Sequence, residues 1–425
     1  MSMVSKRILF VISISLSLII LTGCMKKATF SSPCCEIASG SELTFFIVSD
    51  PHYISKETYD DNEAFENFCC SNDGKLLNYA DEITDTLIWE IGNKKPDFLI
   101  ICGDISCNGE KESHLDFVKK LEKIEKQGTG VYIIPGNHDI ENPWARNYIG
   151  KEPCKTESIT SQEFTEIYSS FGYAEAISRD EHSLSYLVTP SEDLWLLMLD
   201  STKKNDSKFA DAPERSGVIS SKTLEWIEQC SAVAKENNAQ LLVSMHHSLL
   251  PHNSVINKDY VIDNGQEVLK VFQKLGIEVV LTGHIHLQSI KSHVADDYKL
   301  YDIATGSLLA YPNLYGILKY CPNSGFEYNT QKIDVEKWAL KNIIEDENLV
   351  NFKKYSRDYF KNKSYDKYYG TIVEKLSNTE NGNFESMANT VAELNLGYFK
   401  GLRNGELVSI VGSTKYNTLM SSLPD

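Results

Sequence analysis

Seven side chains of the types that bind metal ions follow apolar segments of this 425-residue sequence. They are Asp50, His52, Asp104, Asn137, His246, His284 and His286. Any one of them has an ordinary explanation, since an Asp behind a glycine usually belongs to a turn and a single His usually lies at the surface. Together, these oxygen and imidazole donors suit two transition-metal ions that share a carboxylate, because one ion is saturated by about four to six ligands.

Two such ions, about 3.5–4 Å apart, lower the pKa of a shared water molecule and neutralise charge on a phosphoryl group. The chemistry that this donor set predicts is therefore the hydrolysis of a phosphate ester. The set contains no thiolate, so two divalent ions of Mn, Fe or Zn are all compatible with it. Metal availability, rather than the order of affinities, usually decides between them.

The elements that must hold these side chains are six apolar segments, each predicted to be a buried β-strand with a polar residue at its carboxyl end. The segments are LTFFIVSD, PDFLIICGD, GVYIIPGN, LWLLMLD, QLLVSMHH and IEVVLTGHIH. Stretches with apolar residues at three-to-four spacing lie between them and predict helices. The alternation predicts an α/β fold with a largely parallel sheet, in which ligands bind beyond the carboxyl ends of the strands.

From about Val335 the pattern changes to helix-periodic segments without intervening strands. We therefore expect a small α-helical C-terminal domain over residues 332–425. Its Tyr and Phe residues are expected to pack against the main domain. Every metal-type donor precedes this region, so it is expected to shape access to the site without contributing a ligand.

The N-terminus predicts an exported protein, because two basic residues precede an apolar run at residues 8–21 that has the length of a signal-peptide core. The run ends in LTGC, which resembles a bacterial lipobox, so residues 1–23 are expected to be removed and Cys24 to carry a lipid. An uncleaved anchor helix is the alternative. Residues 24–41, rich in Ser, Pro and Lys, are expected to be a tether at the outer face of the bacterial cell membrane.

The charge and the cysteines exclude other classes of protein. The formal net charge of −17 repels phosphate backbones at long range, so a nucleic acid polymer is not an expected partner. Once Cys24 is set aside the number of cysteines is odd, and no CxxC occurs. The spacing therefore predicts neither a disulfide framework nor a zinc finger.

Five short motifs, in this order and approximate spacing, resemble the calcineurin-like metallophosphoesterase superfamily across residues 43–330. They are DPH from Asp50, GD ending at Asp104, GNHD at residues 136–139, HH from His246 and GHIH from Gly283. The resemblance implies a four-layer αββα metallophosphoesterase sandwich for the domain at residues 42–331.

The resemblance also implies roles for individual residues. One metal ion would be held by Asp50, His52, Asp104 and His286, and the other by Asp104, Asn137, His246 and His284, with Asp104 as the bridge. The His of GNHD lies over the substrate in this superfamily and stabilises or protonates the leaving oxygen, helped by the adjacent Asp. These catalytic roles fall on His138 and Asp139, and Gly136 is interpreted as allowing a sharp bend before them.

The protein phosphatases of the superfamily carry a phosphate-gripping Arg in GDxxDRG, whereas this chain has GDISCNG, with Asn108 in that place. GDISCNGEKESH, GNHDIENPWAR and TGSLLAYPN resemble instead the cyclic-nucleotide phosphodiesterases, particularly exported lipoprotein forms with a helical C-terminal addition. The expected substrate is a cyclic nucleotide or a similar small diester, with Asn108 and Arg146 as candidate substrate contacts.

Two alternatives stay open: a phosphomonoesterase or nucleotidase of the same superfamily, and a non-catalytic metal-binding surface lipoprotein. The intact ligand set, together with His138 and Asp139, favours an enzyme.

Overall fold

The computed structural model describes residues 27–203, 211–253, 258–376 and 383–401. The signal peptide and the lipidation site at Cys24 lie outside these residues and stay predictions. None of the helices within these ranges is long and apolar enough to cross a membrane.

The described part of the chain contains fourteen strands and ten α-helices. The strands are β1 (Leu43–Val48), β2 (Phe98–Cys102), β3 (Gly130–Ile134), β4 (Arg146–Asn147), β5 (Cys154–Lys155), β6 (Ser178–Arg179), β7 (Tyr186–Val188), β8 (Leu194–Leu199), β9 (Gln240–Met245), β10 (Val279–Thr282), β11 (Ser289–Ala295), β12 (Tyr298–Ala304), β13 (Leu314–Cys321) and β14 (Gly325–Lys332). The helices are α1 (Glu63–Ser71), α2 (Ala80–Lys94), α3 (Lys111–Glu125), α4 (Ser161–Ile167), α5 (Ser221–Glu236), α6 (Gly265–Leu275), α7 (Val335–Lys341), α8 (Glu347–Val350), α9 (Phe352–Leu376) and α10 (Phe384–Phe399). The six predicted strands correspond to β1, β2, β3, β8, β9 and β10.

These six strands are divided between two sheets, as the αββα sandwich implies, and within each sheet the predicted strands are parallel. The first sheet has the order β14-β13-β1-β2-β3, in which β1, β2 and β3 are parallel. The second has the order β11-β12-β10-β9-β8-β7-β6, in which β12, β10, β9 and β8 are parallel. Antiparallel strands extend the edges of both sheets.

The two sheets pack face to face, with β2 against β9 and β3 against β8. The Tyr186 hydroxyl of the second sheet donates to the Ile133 carbonyl of the first at 2.9 Å. Helices α2 and α3 pack together on the first sheet, and α5 and α6 pack together on the second. The result is the expected αββα sandwich, and it explains the continuous apolar segments, because the central strands are buried on both faces.

The described part of the predicted tether, residues 27–41, is hydrogen-bonded to the folded body. The Ser31 N–H donates to the Ile177 carbonyl at 2.8 Å, and the Gly40 N–H donates to Asp193 Oδ2 at 2.6 Å. Composition alone suggested a spacer, but the backbone donors of this segment find acceptors along the second sheet.

The C-terminal helices begin at Val335, directly after β14 ends. The longest of them, α9, packs along α10. The Phe360 ring of α9 lies 4.9 Å from that of Phe399 in α10 and 5.9 Å from that of Tyr311 in the main domain. Aromatic side chains therefore connect the helical region to the domain that carries the predicted ligands.

Candidate metal centre

The two sheets bring the seven predicted ligand residues to one place, where the carboxyl ends of their strands meet. Asp50 and His52 follow β1, Asp104 follows β2, Asn137 follows β3, His246 follows β9, and His284 and His286 follow β10. Asp50, His52 and His246 have no solvent exposure. Buried polar groups of this kind are costly unless they bind one another or a cation.

The first cluster consists of Asp50, His52, Asp104 and His286, whose potential ligand atoms lie within 4.8 Å of one another. The Nε2 atoms of His52 and His286 are 2.9 Å apart. Asp50 Oδ1 is 3.4 Å from His286 Nε2, and Asp104 Oδ2 is 3.8 Å from His52 Nε2. Two nitrogens that bind one ion at about 2.0–2.1 Å and at right angles lie about 3 Å apart, so these residues fit a shared metal ion.

The second cluster consists of Asp104, Asn137, His246 and His284. His246 Nε2 lies 3.3 Å from Asp104 Oδ1 and 3.2 Å from Asn137 Oδ1. His246 Nδ1 and His284 Nε2 each donate to a backbone carbonyl 2.8 Å away. These bonds set the tautomers and leave the other ring nitrogen of each histidine free to bind a metal ion.

His247 lies beside the second cluster, within 4.8 Å of the ligand atoms of His246 and His284. Its Nδ1 is 2.9 Å from the Ser201 hydroxyl, and its Nε2 is 3.2 Å from the Arg215 carbonyl. Because both ring nitrogens already have partners, His247 supports the cluster and is not counted among the ligands.

Asp104 lies between the two clusters with one carboxylate oxygen toward each. Oδ2 faces His52, whereas Oδ1 faces His246 and accepts the His138 backbone N–H at 2.9 Å. Burial raises the pKa of this carboxyl group, but the imidazoles of His246 and His138 outweigh it and hold the pKa well below its usual range. An ionised carboxylate with this orientation fits a bridge between two ions.

Burial lowers the pKa of two of the ligand imidazoles, those of His52 and His284, and so keeps them in the neutral form that binds metal ions. Burial lowers the pKa of His284 to about 3, with the neighbouring His246 adding to the effect. Burial and the nearby Lys75 ammonium hold the pKa of His52 well below its ordinary value. His246 differs, since Asp104 outweighs burial and raises its pKa to about 9. A metal ion at this position would take the place of that proton.

The backbone at the ligand positions is strained. Left-handed φ angles occur at Asp50 (50°), His52 (38°), Asp104 (48°), His284 (66°) and His286 (55°). A residue with a side chain in this region typically costs about 1–3 kcal/mol, and such residues collect at functional sites. The strain turns each side chain toward the common centre.

Gly136 is required because the backbone passes very close to Asp104. A Cβ atom on Gly136 would lie 2.2 Å from both the backbone nitrogen and Oδ1 of Asp104. Its backbone is not in the left-handed region, so close approach and not a positive φ explains the glycine at the start of this turn.

His138 lies over the centre, with its ring edge-on to that of His52 and the two centroids 5.0 Å apart. Its Nδ1 is 2.9 Å from the Cys107 carbonyl oxygen and 3.0 Å from Asn108 Oδ1. Both partners are acceptors, so Nδ1 carries a proton. Nε2 is left for the cavity that His138 lines.

The described hydrogen-bond partners of Asp139 belong to the loops and do not include the His138 imidazole, and its catalytic role stays a prediction. Its carboxylate accepts the backbone N–H groups of Ile105, Ser106 and Gly136 at 3.1, 2.8 and 2.8 Å. The donors of two tight loops meet at this carboxylate. Asp139 therefore ties the loop after β2 to the loop after β3 and holds His138 through the backbone.

A model of the calcineurin-like phosphoesterase domain matches residues 43–288, more than half of the chain. The chain belongs to the calcineurin-like phosphoesterase family. A second model, of the C-terminal domain of cyclic nucleotide phosphodiesterase, matches residues 334–424. The family confirms the predicted fold class and, with the Asp and His clusters, indicates a divalent metal centre in a phosphoester hydrolase.

Two curated relatives of this phosphoesterase are similar over part of the chain. The 3',5'-cyclic adenosine monophosphate phosphodiesterase CpdA of Haemophilus influenzae is 23% identical over 46% of the chain and 56% of its own length. A probable cyclic nucleotide phosphodiesterase of Coxiella burnetii is 24% identical over 45% of the chain and 60% of its own length. The chain thus spans less than two thirds of either relative. Among solved structures, a dimetal phosphatase from Danio rerio is 12% identical with a TM-score of 0.47, covering 68% of this chain and 99% of that one.

The two candidate substrate contacts of the phosphoesterase have other partners. Asn108 lies beside His138, as its Oδ1 contact shows. The Arg146 guanidinium donates to the Pro143 and Ala145 carbonyls at 2.9 and 2.8 Å. Among the described residues, Arg146 does not line the cavity over the metal centre. Backbone acceptors in its own loop hold the Arg146 side chain, and its contact with substrate stays a prediction.

A cavity of about 890 Å³ opens over the metal centre of the phosphoesterase and reaches α9 and α10. Lys75, Arg215 and Tyr260 line it together with His138 and Asn137. The sequence analysis did not identify these three residues. Lys75 follows a visible turn signal, SNDG, but no local pattern indicates that this turn lies beside the metal ligands.

Proposed function

We propose that this calcineurin-like phosphoesterase uses two divalent transition-metal ions to hydrolyse cyclic nucleotides or small diesters of similar size. The observation that carries the proposal is the position of Asp104, with one carboxylate oxygen toward each His cluster, beneath His138. The names of the relatives from Haemophilus influenzae and Coxiella burnetii support a cyclic nucleotide as substrate.

Hydrolysis forms a bond from a water oxygen to phosphorus, releases one proton of that water to the solvent, and breaks the bond to the leaving oxygen, which must gain a proton. When bound, the two ions lower the pKa of water and neutralise charge on the phosphoryl group. His138 supplies the proton from Nε2, because Nδ1–H is committed to the Cys107 carbonyl. After the transfer, His138 is a neutral imidazole with its remaining proton on Nδ1.

The environment of His138 suits a proton donor. Burial lowers its pKa, and the Asp104 carboxylate opposes this effect. A lower pKa makes the imidazolium a stronger acid but leaves less of it protonated at neutral pH. The negative charge of a bound phosphoryl group favours the protonated form, so the acid is most available when substrate is present.

A hydrolysis panel tests the proposal on the full-length protein, purified in detergent and reconstituted with Mn²⁺. The substrates are bis-p-nitrophenyl phosphate, p-nitrophenyl phosphate, 3',5'-cAMP and 2',3'-cAMP, and Asp104→Asn is the control. We expect turnover of the diesters above that of the monoester. A clear preference for p-nitrophenyl phosphate would indicate a phosphomonoesterase, and no turnover with two ions bound would indicate a non-catalytic protein.

We also propose that the protein is exported and held at the outer face of the bacterial cell membrane by a lipid on Cys24. The support is the basic start, the apolar run and the LTGC sequence. In this location the substrate would be an extracellular small phosphate ester.

A further inference from the structure

Lys75 lies in the cavity of the metal centre, at the end of the turn that follows α1. Its side chain is 12% exposed, and its ammonium group is 3.2 Å from Asp73 Oδ1. It lines the cavity together with Asp104 and His138.

The backbone of Lys75 is held on the side of the catalytic domain. Asn72 Oδ1 accepts the N–H groups of Gly74 and Lys75 at 2.8 and 2.9 Å. Gly74 has a φ of 100°, which residues with a side chain rarely adopt. The Leu76 N–H then donates to the Leu309 carbonyl at 2.9 Å, which joins the end of the turn to the segment before β13.

The other side of the turn is held by α9. The Tyr359 hydroxyl donates to the Cys69 carbonyl at 3.1 Å, and the Lys363 ammonium donates to the next carbonyl of α1 at 2.6 Å. The Phe360 ring covers Gly74 so closely that a Cβ atom there would lie 2.8 Å from it. One turn of α9 therefore packs on the segment that places Lys75 in the cavity.

Three other cations line the cavity in the described ranges: Arg215, Lys363 and Lys367. Lys363 is bonded to α1, while Arg215 and Lys367 are exposed. A contact between phosphate and an exposed cation is weakened by solvent screening. Lys75 combines a largely buried ammonium group with a place in the cavity that His138 also lines, and its contact with an anion would be correspondingly stronger.

We propose that Lys75 binds a non-bridging phosphoryl oxygen of the substrate and that α9 positions it. The inference rests on the proposed phosphoesterase function and names a substrate contact for it. Asn108 occupies the place of the phosphate-gripping Arg of the related protein phosphatases, and its side chain faces His138. Lys75 supplies a phosphate-binding charge from a different segment, and Asp73 pairs with it when no substrate is bound.

The test compares Lys75→Met, Lys75→Arg and the control Asp73→Asn in the full-length, Mn²⁺-loaded protein. Calorimetry measures the binding of orthophosphate, and kinetics measure KM and kcat with bis-p-nitrophenyl phosphate. A lost charge-assisted hydrogen bond corresponds to about 10- to 100-fold weaker phosphate binding in Lys75→Met. Lys75→Arg should recover most of the affinity, and Asp73→Asn should bind phosphate at least as tightly as the wild type.

These outcomes separate a substrate contact from a structural ion pair. If Lys75 only pairs with Asp73, Lys75→Met and Asp73→Asn will show the same loss of thermal stability and no selective loss of phosphate binding, which would overturn the inference. A wild-type protein that binds no orthophosphate would overturn it as well. Metal content must stay at two ions in each variant. Failure of the proposed function is distinguishable, because it would appear as absent turnover in the wild type.

The positioning role of α9 has its own variant. Tyr359→Phe removes the hydroxyl that donates to α1 and leaves Lys75, the other cations of the cavity and every metal ligand in place. We expect several-fold weaker orthophosphate binding at unchanged metal content. Wild-type phosphate affinity in this variant would refute positioning by α9.

Discussion

Replacement of His138 by Ala should slow the hydrolysis of different esters by very different factors. General acid catalysis typically contributes about 10²–10⁴-fold, and the contribution increases as the leaving oxygen becomes more basic. Turnover of 3',5'-cAMP, which has an alkoxide leaving group, should therefore fall by about 10²–10⁴-fold. Turnover of bis-p-nitrophenyl phosphate should fall by much less, because p-nitrophenolate needs little protonation. Both metal ions should be retained, since the His138 ring is not a ligand.

The contacts of His138 Nδ1 provide a second variant that tests the same acid role. Asn108→Ala removes the contact at 3.0 Å but leaves the Cys107 carbonyl at 2.9 Å. One neutral hydrogen bond contributes about 0.5–1.5 kcal/mol, so the loss should be about 2- to 10-fold and again larger for the cyclic nucleotide. Both variants are assayed with metal content measured in parallel.

Equal rate losses for the two esters in His138→Ala, at full metal occupancy, would refute the acid role. That result, combined with a lower melting temperature, would show that His138 only holds its loop in place.

Asp104→Asn should weaken metal binding at both positions, because an amide offers one oxygen where two carboxylate oxygens face two clusters. His286→Ala should weaken metal binding only at the first cluster. Two retained ions and full turnover in Asp104→Asn would contradict the bridging role of Asp104. Burial raises the pKa of Glu110 from 4.5 to about 7. The contribution of this group to the free energy of unfolding is therefore greatest below pH 4.5 and is lost as the pH rises through 7. Urea unfolding at pH 5 and pH 8 should therefore show a smaller loss for Glu110→Gln than for the wild type, and equal losses would exclude this contribution. Cys24→Ser should abolish incorporation of labelled palmitate, and equal labelling would disprove the lipid anchor.

The local content of the sequence was sufficient to predict most of the elements that carry the site. A buried strand is recognisable because its apolar run is continuous, and each of the six predicted runs forms a strand. Polar residues such as Asp104 and His246 directly follow such runs, and this position predicts that they meet at a sheet edge. The order of the motifs then identified the family, which the match over residues 43–288 shows.

Features that depend on contacts between distant segments could not be predicted. Asp139 directly follows His138 in the chain, yet its carboxylate binds backbone donors of the loop after β2. Arg146 lies in the same motif region, and carbonyl oxygens of its own loop retain it. Both outcomes depend on which hydrogen-bond partners the folded loops leave unsatisfied, and sequence spacing carries no such information.

The sequence by itself determined which residue types stand at the strand ends, because the chemistry of a side chain and the periodicity of its neighbours are local properties. Only the tertiary structure decided that these strands belong to two facing sheets, and that Asp104 therefore has one oxygen toward each cluster. It also decided that Lys75, which precedes Asp104 by more than 25 residues in the chain, lines the same cavity as His138. The physical reason is that packing of α9 on α1 and on the Gly74 turn places Lys75, and such contacts join segments nearly 300 residues apart in the chain.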